Sequence, residues 1–243
     1  MTDTFINPVN EEAYENSVIE LFEGMGYRHV YGPNLESRDF HSPLYEDELM
    51  DALHRLNPKL PDVAIKEAYT KLKNFENAEL TQKNAVFMEY LQSGITVRYT
   101  EKGEPKDTIV YLIDYNRPDK NSFVVANQWT FIENSEKRPD ILLFVNGLPL
   151  VLMELKSPSR EETDASEAYR QIQNYKHEIP SMFIYNAICV TSDLLTSKAG
   201  TITSDETRFM EWKTVDGKYE NTQHAQFDTF FKGIFPKERL LDI

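Results

Sequence analysis

Two acidic residues and a lysine within one short stretch carry the most chemistry in this sequence. Residues 138–156 read RPDILLFVNGLPLVLMELK: Asp140 precedes one apolar run, Glu154 and Lys156 close a second, and Asn146-Gly147 lies between them. Asn-Gly between two apolar runs is the strongest short-range hairpin signal. With a three-residue loop, 146–148, Asp140 stands directly opposite Glu154; with a two-residue loop they are diagonal neighbours, still within reach of one cation. Alternation along the strand puts Lys156 on the face of Glu154, one pleat further on. Both runs are apolar at successive positions, as in strands covered on both faces, so charges at their ends are partly desolvated. Two carboxylates about 5 Å apart repel each other unless a cation or a shared proton compensates. Mg²⁺, with Mn²⁺ as a substitute, does so through oxygen ligands and keeps water molecules for reaction. Lys156 then helps to deprotonate a water or stabilises charge developing on a phosphate. An acid followed by E-x-K also occurs as a turn residue plus a solvated ion pair. The proline before Asp140, the hairpin of matching length and the doubly apolar strands favour the metal site. Arg117-Pro118-Asp119 is an internal control: the next glutamate, Glu133, leads into Asn134-Ser135 rather than x-Lys, so Asp119 reads as a turn residue.

Several elements must hold this hairpin. Tyr14, Val18, Leu21, Phe22 and Met25 recur at helical spacing and end at Gly24 and Gly26, which predicts a helix over about 10–24. Residues 44–56 and 62–93 are helical by periodicity, separated by Pro58 and Pro61, and form a helical insert. From Gly94 the runs ITVRYT, TIVYLIDY, SFVVANQWTFIE, DILLFV and LPLVLMEL predict strands in antiparallel hairpins. A helix fits 164–178, with Asp164 as N-cap and Glu167 as its capping-box partner, and MFIYNAICVT predicts one more strand. Helix, strands, helix, strand indicates an α/β fold: a mixed central sheet flanked by helices. The expected organisation is one domain over 1–243, with the insert at about 44–93 and a core at about 94–215. The tail FDTFFKGIFPKERLLDI ends on apolar residues, which suggests that a longer chain continues.

Composition narrows the partners. With 26 Lys+Arg against 40 Asp+Glu the net charge is −14, so the chain alone should bind nucleic acid poorly and DNA would have to be delivered by a partner or by another part of the polypeptide. Apolar residues at 40% and aromatics at 12% suffice for a real core. A single cysteine, Cys189, and five histidines without ligand spacing give no support for disulfides or structural zinc, and suggest a reduced, cytoplasmic setting. No apolar run is long enough to span a membrane, and the N-terminus lacks a signal-peptide pattern.

On these residues the sequence resembles the PD-(D/E)xK nuclease superfamily: P-D, then E-L-K on a hairpin, then a helix with Gln171 and Tyr175 in a Q-x-x-x-Y spacing. More narrowly it resembles the N-terminal endonuclease domain of the restriction (motor) subunit of type I restriction-modification enzymes. That likeness covers the opening helix with Glu15, residues 121–128 (NSFVVANQ), the hairpin, the Q-x-x-x-Y helix, and Gly200 through Lys213. It implies a restriction-endonuclease-like fold and Mg²⁺-dependent cleavage of double-stranded DNA. Asp140 and Glu154 become the metal ligands, Lys156 the catalytic lysine, and Gln171 with Tyr175 the pair that orients DNA or the site. Glu15, on the stripe with Ile19 and Phe22, is a ligand or water-positioning candidate, whereas Glu20 falls on the polar side. The resemblance also implies specificity and methyltransferase subunits as partners, and motor domains downstream on the same chain. No G-x-x-x-x-G-K-[ST] is present, so ATP is expected only for the full-length enzyme. A RecB-like or repair nuclease, or a docking module that has lost metal affinity, are the alternatives.

Overall fold

The computed structural model describes residues 11–35, 37–156, 165–193, 196–219 and 227–243. In chain order the main elements are α1 (Glu11–Gly24), β1 (Arg28–Tyr31), α2 (Glu46–Leu56), α3 (Asp62–Lys73), α4 (Leu80–Ser93), β2 (Ile95–Glu101), β3 (Glu104–Val110), β4 (Phe123–Asn127), β5 (Phe131–Ile132), β6 (Glu136–Lys137), β7 (Ile141–Val145), β8 (Leu148–Leu155), α5 (Ala165–Glu178), α6 (Pro180–Ile184), β9 (Ile188–Ser192), β10 (Ser197–Gly200), α7 (Phe227–Ile234) and α8 (Lys237–Asp242). Six strands make one mixed sheet in the order β1-β4-β7-β8-β9-β10. β1 runs parallel to β4, and β8 parallel to β9; the other neighbours are antiparallel. This is the mixed sheet flanked by helices that the restriction-endonuclease-like reading requires.

The sheet divides two cores. Ile141, Leu143 and Val145 of β7 point into a large cluster with α1, the α2–α4 helices and α7, while Leu142 and Phe144 join a second cluster with Ile172 and Tyr175 of α5 and Met182 and Phe183 of α6. Alternation along a strand that is buried on both faces produces this division. α1 seats Tyr14, Val18, Ile19 and Phe22 in the large cluster, leaving Glu20 exposed. The tail folds back on α1: Phe231 and Phe235 meet Phe22 edge-on, and the Tyr27 hydroxyl donates to the Phe235 carbonyl at 2.8 Å.

Four expectations are corrected. The helical stretch 62–93 is two helices, broken over residues 74–79, where Asn74 turns extended at φ −125°, ψ 102°. Residues 95–110 form a separate two-stranded sheet, β2 with β3, outside the central one; β3 begins at Glu104 and ends at Val110, so Tyr111–Tyr115 are not strand. SFVVANQWTFIE is interrupted at Gln128, whose φ of 51° turns the chain out of β4. MFIYNAICVT is not one strand, because residues 182–184 belong to α6 and the strand starts at Ile188. Pro180 suits the first turn of that helix, and the Asn84 side-chain amide of α4 donates to the carbonyls of Phe183, Ile184 and Asn186 at its end. Asp164, the expected N-cap, lies outside the described residues.

Candidate active site

The hairpin turn uses two residues, not three. Asn146 and Gly147 both have positive φ, 52° and 77°, as a tight turn between twisted strands demands, and the first pairs are Val145↔Leu148 and Phe144↔Pro149. Continued unchanged, that register would pair Asp140 with Met153 and turn Glu154 to the opposite face, not to the diagonal position expected. Leu150 prevents this. The register shifts there, so Leu143 pairs with Val151, Leu142 with Leu152 and Ile141 with Met153. An inserted residue reverses which side chains face which way, and Pro149, which has no N–H to donate, sits where the ladder is already disturbed. Beyond the bulge, Glu154 shares a face with Leu152, toward α5, and the next step of the register sets it against Asp140.

Local hydrogen bonds hold both acids. Asp140 Oδ2 accepts the Leu155 backbone N–H at 2.6 Å. Glu154 is 3% exposed and its Oε1 accepts from Lys156 Nζ at 2.5 Å, while the Lys156 backbone N–H donates to the Ser192 carbonyl of β9 at 2.8 Å. Gln171 and Tyr175 face this pair from α5. The Tyr175 hydroxyl hydrogen-bonds Glu154 and Gln171. Burial, and then the Glu154 charge, push it well above the ordinary phenol range, with Asp140 adding to the shift and the Gln171 hydrogen bond opposing it. Tyr175 is therefore a neutral donor at any working pH.

A second approach comes from the other face. Glu12, Glu15, Asn16, His29, Tyr31, Asn127, Gln128 and Asp140 line an open polar cavity of about 740 Å³ at the ends of β1 and β4. Glu15, 8% exposed, accepts the Asn127 side-chain N–H at 2.6 Å, and Asn127 in turn meets His29 Nε2 at 2.9 Å. Asp140 lies between the two approaches: it lines this cavity and its charge reaches Tyr175. Among the described residues no three His, Cys, Asp or Glu side chains converge at metal-binding spacing; Glu15 lines the cavity. Asp119 is exposed in a short 3₁₀ turn away from the acids.

Sequence reasoning did not single out His29, Asn127 or Gln128 as site residues. β1 spans four residues and has a polar, weakly strand-like sequence, RHVY, so nothing local marks it as the sheet edge. A usable signal was Asn127-Gln128 itself, two amides interrupting an apolar strand, since buried amides are kept only where they are hydrogen-bonded.

The profile described as type I restriction enzyme R protein N terminus matches residues 8–208. The chain belongs to this family. Over 96% of its length it is 32% identical to the type I restriction enzyme HindI endonuclease subunit of Haemophilus influenzae. Over 96% it is also 30% identical to the putative type I restriction enzyme MjaIXP endonuclease subunit of Methanocaldococcus jannaschii. It spans 23% and 25% of those two proteins, about a quarter of each. As an R protein N terminus it places the hairpin acids, Lys156 and the α5 pair at one end of the sheet. Among the described residues no helix is long and apolar enough to cross a membrane.

Proposed function

We propose that this R protein N terminus is the nuclease domain of a type I restriction-modification subunit and that it cleaves double-stranded DNA endonucleolytically with Mg²⁺. The bulge at Leu150 carries the reading, because it turns Glu154 to the side from which Lys156 and Tyr175 also reach it, with Gln171 hydrogen-bonded to the Tyr175 hydroxyl. A buried carboxylate with an ammonium on one oxygen marks a place where positive charge is stabilised, and hard oxygen donors suit Mg²⁺ or Mn²⁺. Asp140 and Glu154 would hold the ion. When bound, it supplies Lewis-acid polarisation of the scissile phosphate and a more acidic water.

The chain's own groups account for the rest. Leu155 N–H fixes the Asp140 carboxylate, and Tyr175 with Gln171 fixes Glu154, so little reorganisation is needed as charge develops. The Lys156 ammonium, held beside Glu154, compensates the added negative charge on the phosphate. Glu15, on the cavity wall, orients a water for attack. Water adds to phosphorus, one P–O ester bond breaks, and a phosphate monoester and a hydroxyl remain.

A chain at −14 is a poor DNA binder by itself. Delivery therefore falls to motor domains of the same polypeptide, which would use ATP, and to specificity and methyltransferase subunits, which would choose the target in a soluble, cytoplasmic complex. The test is cleavage of covalently closed circular plasmid by the intact protein in Mg²⁺, with calorimetric titration of Mn²⁺ into this chain. The reading expects closed circles to be cut and binding heat to appear, and Asp140→Ala to remove both. Cutting confined to linear ends, or heat and cutting that survive Asp140→Ala, would overturn it.

A further inference from the structure

The amide of Asn127 joins the Glu15 carboxylate to His29, and its two ends are chemically different. Asn127 is 6% exposed, so both ends must be satisfied within the protein. Its Nδ2 lies 2.6 Å from Glu15 Oε1 and its Oδ1 lies 2.9 Å from His29 Nε2. A carboxylate only accepts, so the amide nitrogen must point at Glu15 and the amide oxygen at the imidazole. That oxygen requires a hydrogen on His29 Nε2. The reversed amide would set two oxygens against each other unless Glu15 carried a proton. The carboxylate therefore sets the direction of the amide, and a hydrogen on His29 Nε2 holds the amide in that direction.

We propose that Asn127 is a positioning residue for Glu15 and that His29, as the Nε2–H tautomer, locks it. This rests on the nuclease reading above and adds two residues to it. Asn127 ends β4, paired with Tyr31 of β1 and Ile141 of β7, so the sheet fixes where the amide stands. Glu15 sits on α1, whose Tyr14 hydroxyl is tied to Ser192 Oγ at 2.5 Å on β9. The carboxylate is thus held between two rigid elements on the wall of the cavity that Asp140 also lines, as groups that orient a reacting water must be.

Two measurements test this. Long-range ¹⁵N NMR of His29 in this chain, read on the neutral ring, should show the proton on Nε2, and Asn127→Ala should redistribute it between the nitrogens. A native Nδ1–H tautomer overturns the proposal without any variant having to fold. In the intact protein, Asn127→Ala and His29→Leu should lower kcat for plasmid cleavage about 10- to 100-fold with KM for DNA unchanged. His29→Gln, which presents an N–H near the position of Nε2, should restore most of the rate. If Asp140→Ala abolishes cleavage while Asn127→Ala, with an unchanged melting temperature, retains full kcat, the positioning role is wrong and the nuclease reading stands. If Asp140→Ala itself leaves cleavage intact, both fall together.

Discussion

Asp140 Oδ2 accepts the backbone N–H of Leu155 at 2.6 Å, which ties the acid that precedes β7 to the residue that follows Glu154 on β8. The bond crosses the hairpin beyond the last paired residues, Ile141 and Met153, and keeps the two acids from splaying apart where the ladder ends. An asparagine can still accept that N–H through its Oδ1. Asp140→Asn should accordingly change the unfolding free energy by less than about 1 kcal/mol, while Mn²⁺ binding heat disappears. A large loss of stability would mean that the charge, rather than the hydrogen bond, holds the strand ends.

Lys156 compensates a carboxylate that has almost no access to water; the side chains are 15% and 4% exposed. Replacing the ammonium strands buried charge, for which about 3 kcal/mol is expected. Lys156→Met should therefore melt well below the native chain, and Mn²⁺ should raise the melting temperature of the variant more than that of the parent, because the ion substitutes for the missing charge. Equal metal-induced shifts would argue that Glu154 does not hold the ion.

Tyr175 is displaced upward by burial and by Glu154. For a group whose folded pKa lies above its unfolded value, the folded state keeps the proton longer. Its contribution is whole below about pH 10, the unfolded value, and declines as pH rises toward the folded one. Denaturant midpoints should fall above pH 10 by a larger amount in the parent than in Tyr175→Phe. The pH dependence of cleavage between pH 6 and 9 should be the same in both, since the phenol donates a hydrogen bond and transfers no proton there.

Gly147 occupies the turn at φ 77°, and a Cβ on it would lie 2.5 Å from the Tyr45 carbonyl oxygen and 2.6 Å from the Leu49 nitrogen. Both obstacles are backbone, at the start of α2. Gly147→Ala should cost about 2–4 kcal/mol, from left-handed strain together with overpacking, read as a lower urea midpoint at unchanged slope. A neutral result would show that α2 can move away from the hairpin.

Periodicity located what repeats locally. The stripe Tyr14, Val18, Phe22 defines α1, two apolar runs around Asn146-Gly147 define the hairpin, and Gln171 with Tyr175, one turn apart, mark one face of α5, because hydrophobic spacing and turn chemistry are properties of neighbouring residues. The places of Asp140, Glu154 and Lys156 at the open end of the hairpin were legible for the same reason. Elements whose stability comes from distant partners were not. The four residues of β1 are a strand because β4 lies beside them. Residues 182–184 are helical with their last carbonyls covered by Asn84, about a hundred positions earlier.

The facing of the two acids belongs to neither local pattern alone. Side chains alternate with a period of two, so a single extra residue decides whether Glu154 looks toward α5 or away from it. The sequence determined that two carboxylates and a lysine would close a buried hairpin. Whether they share a side was decided by the bulge at Leu150, where Leu148, Leu150 and Val151 are all drawn into the larger core, since burial of apolar surface outweighs the loss of one regular pair in the ladder.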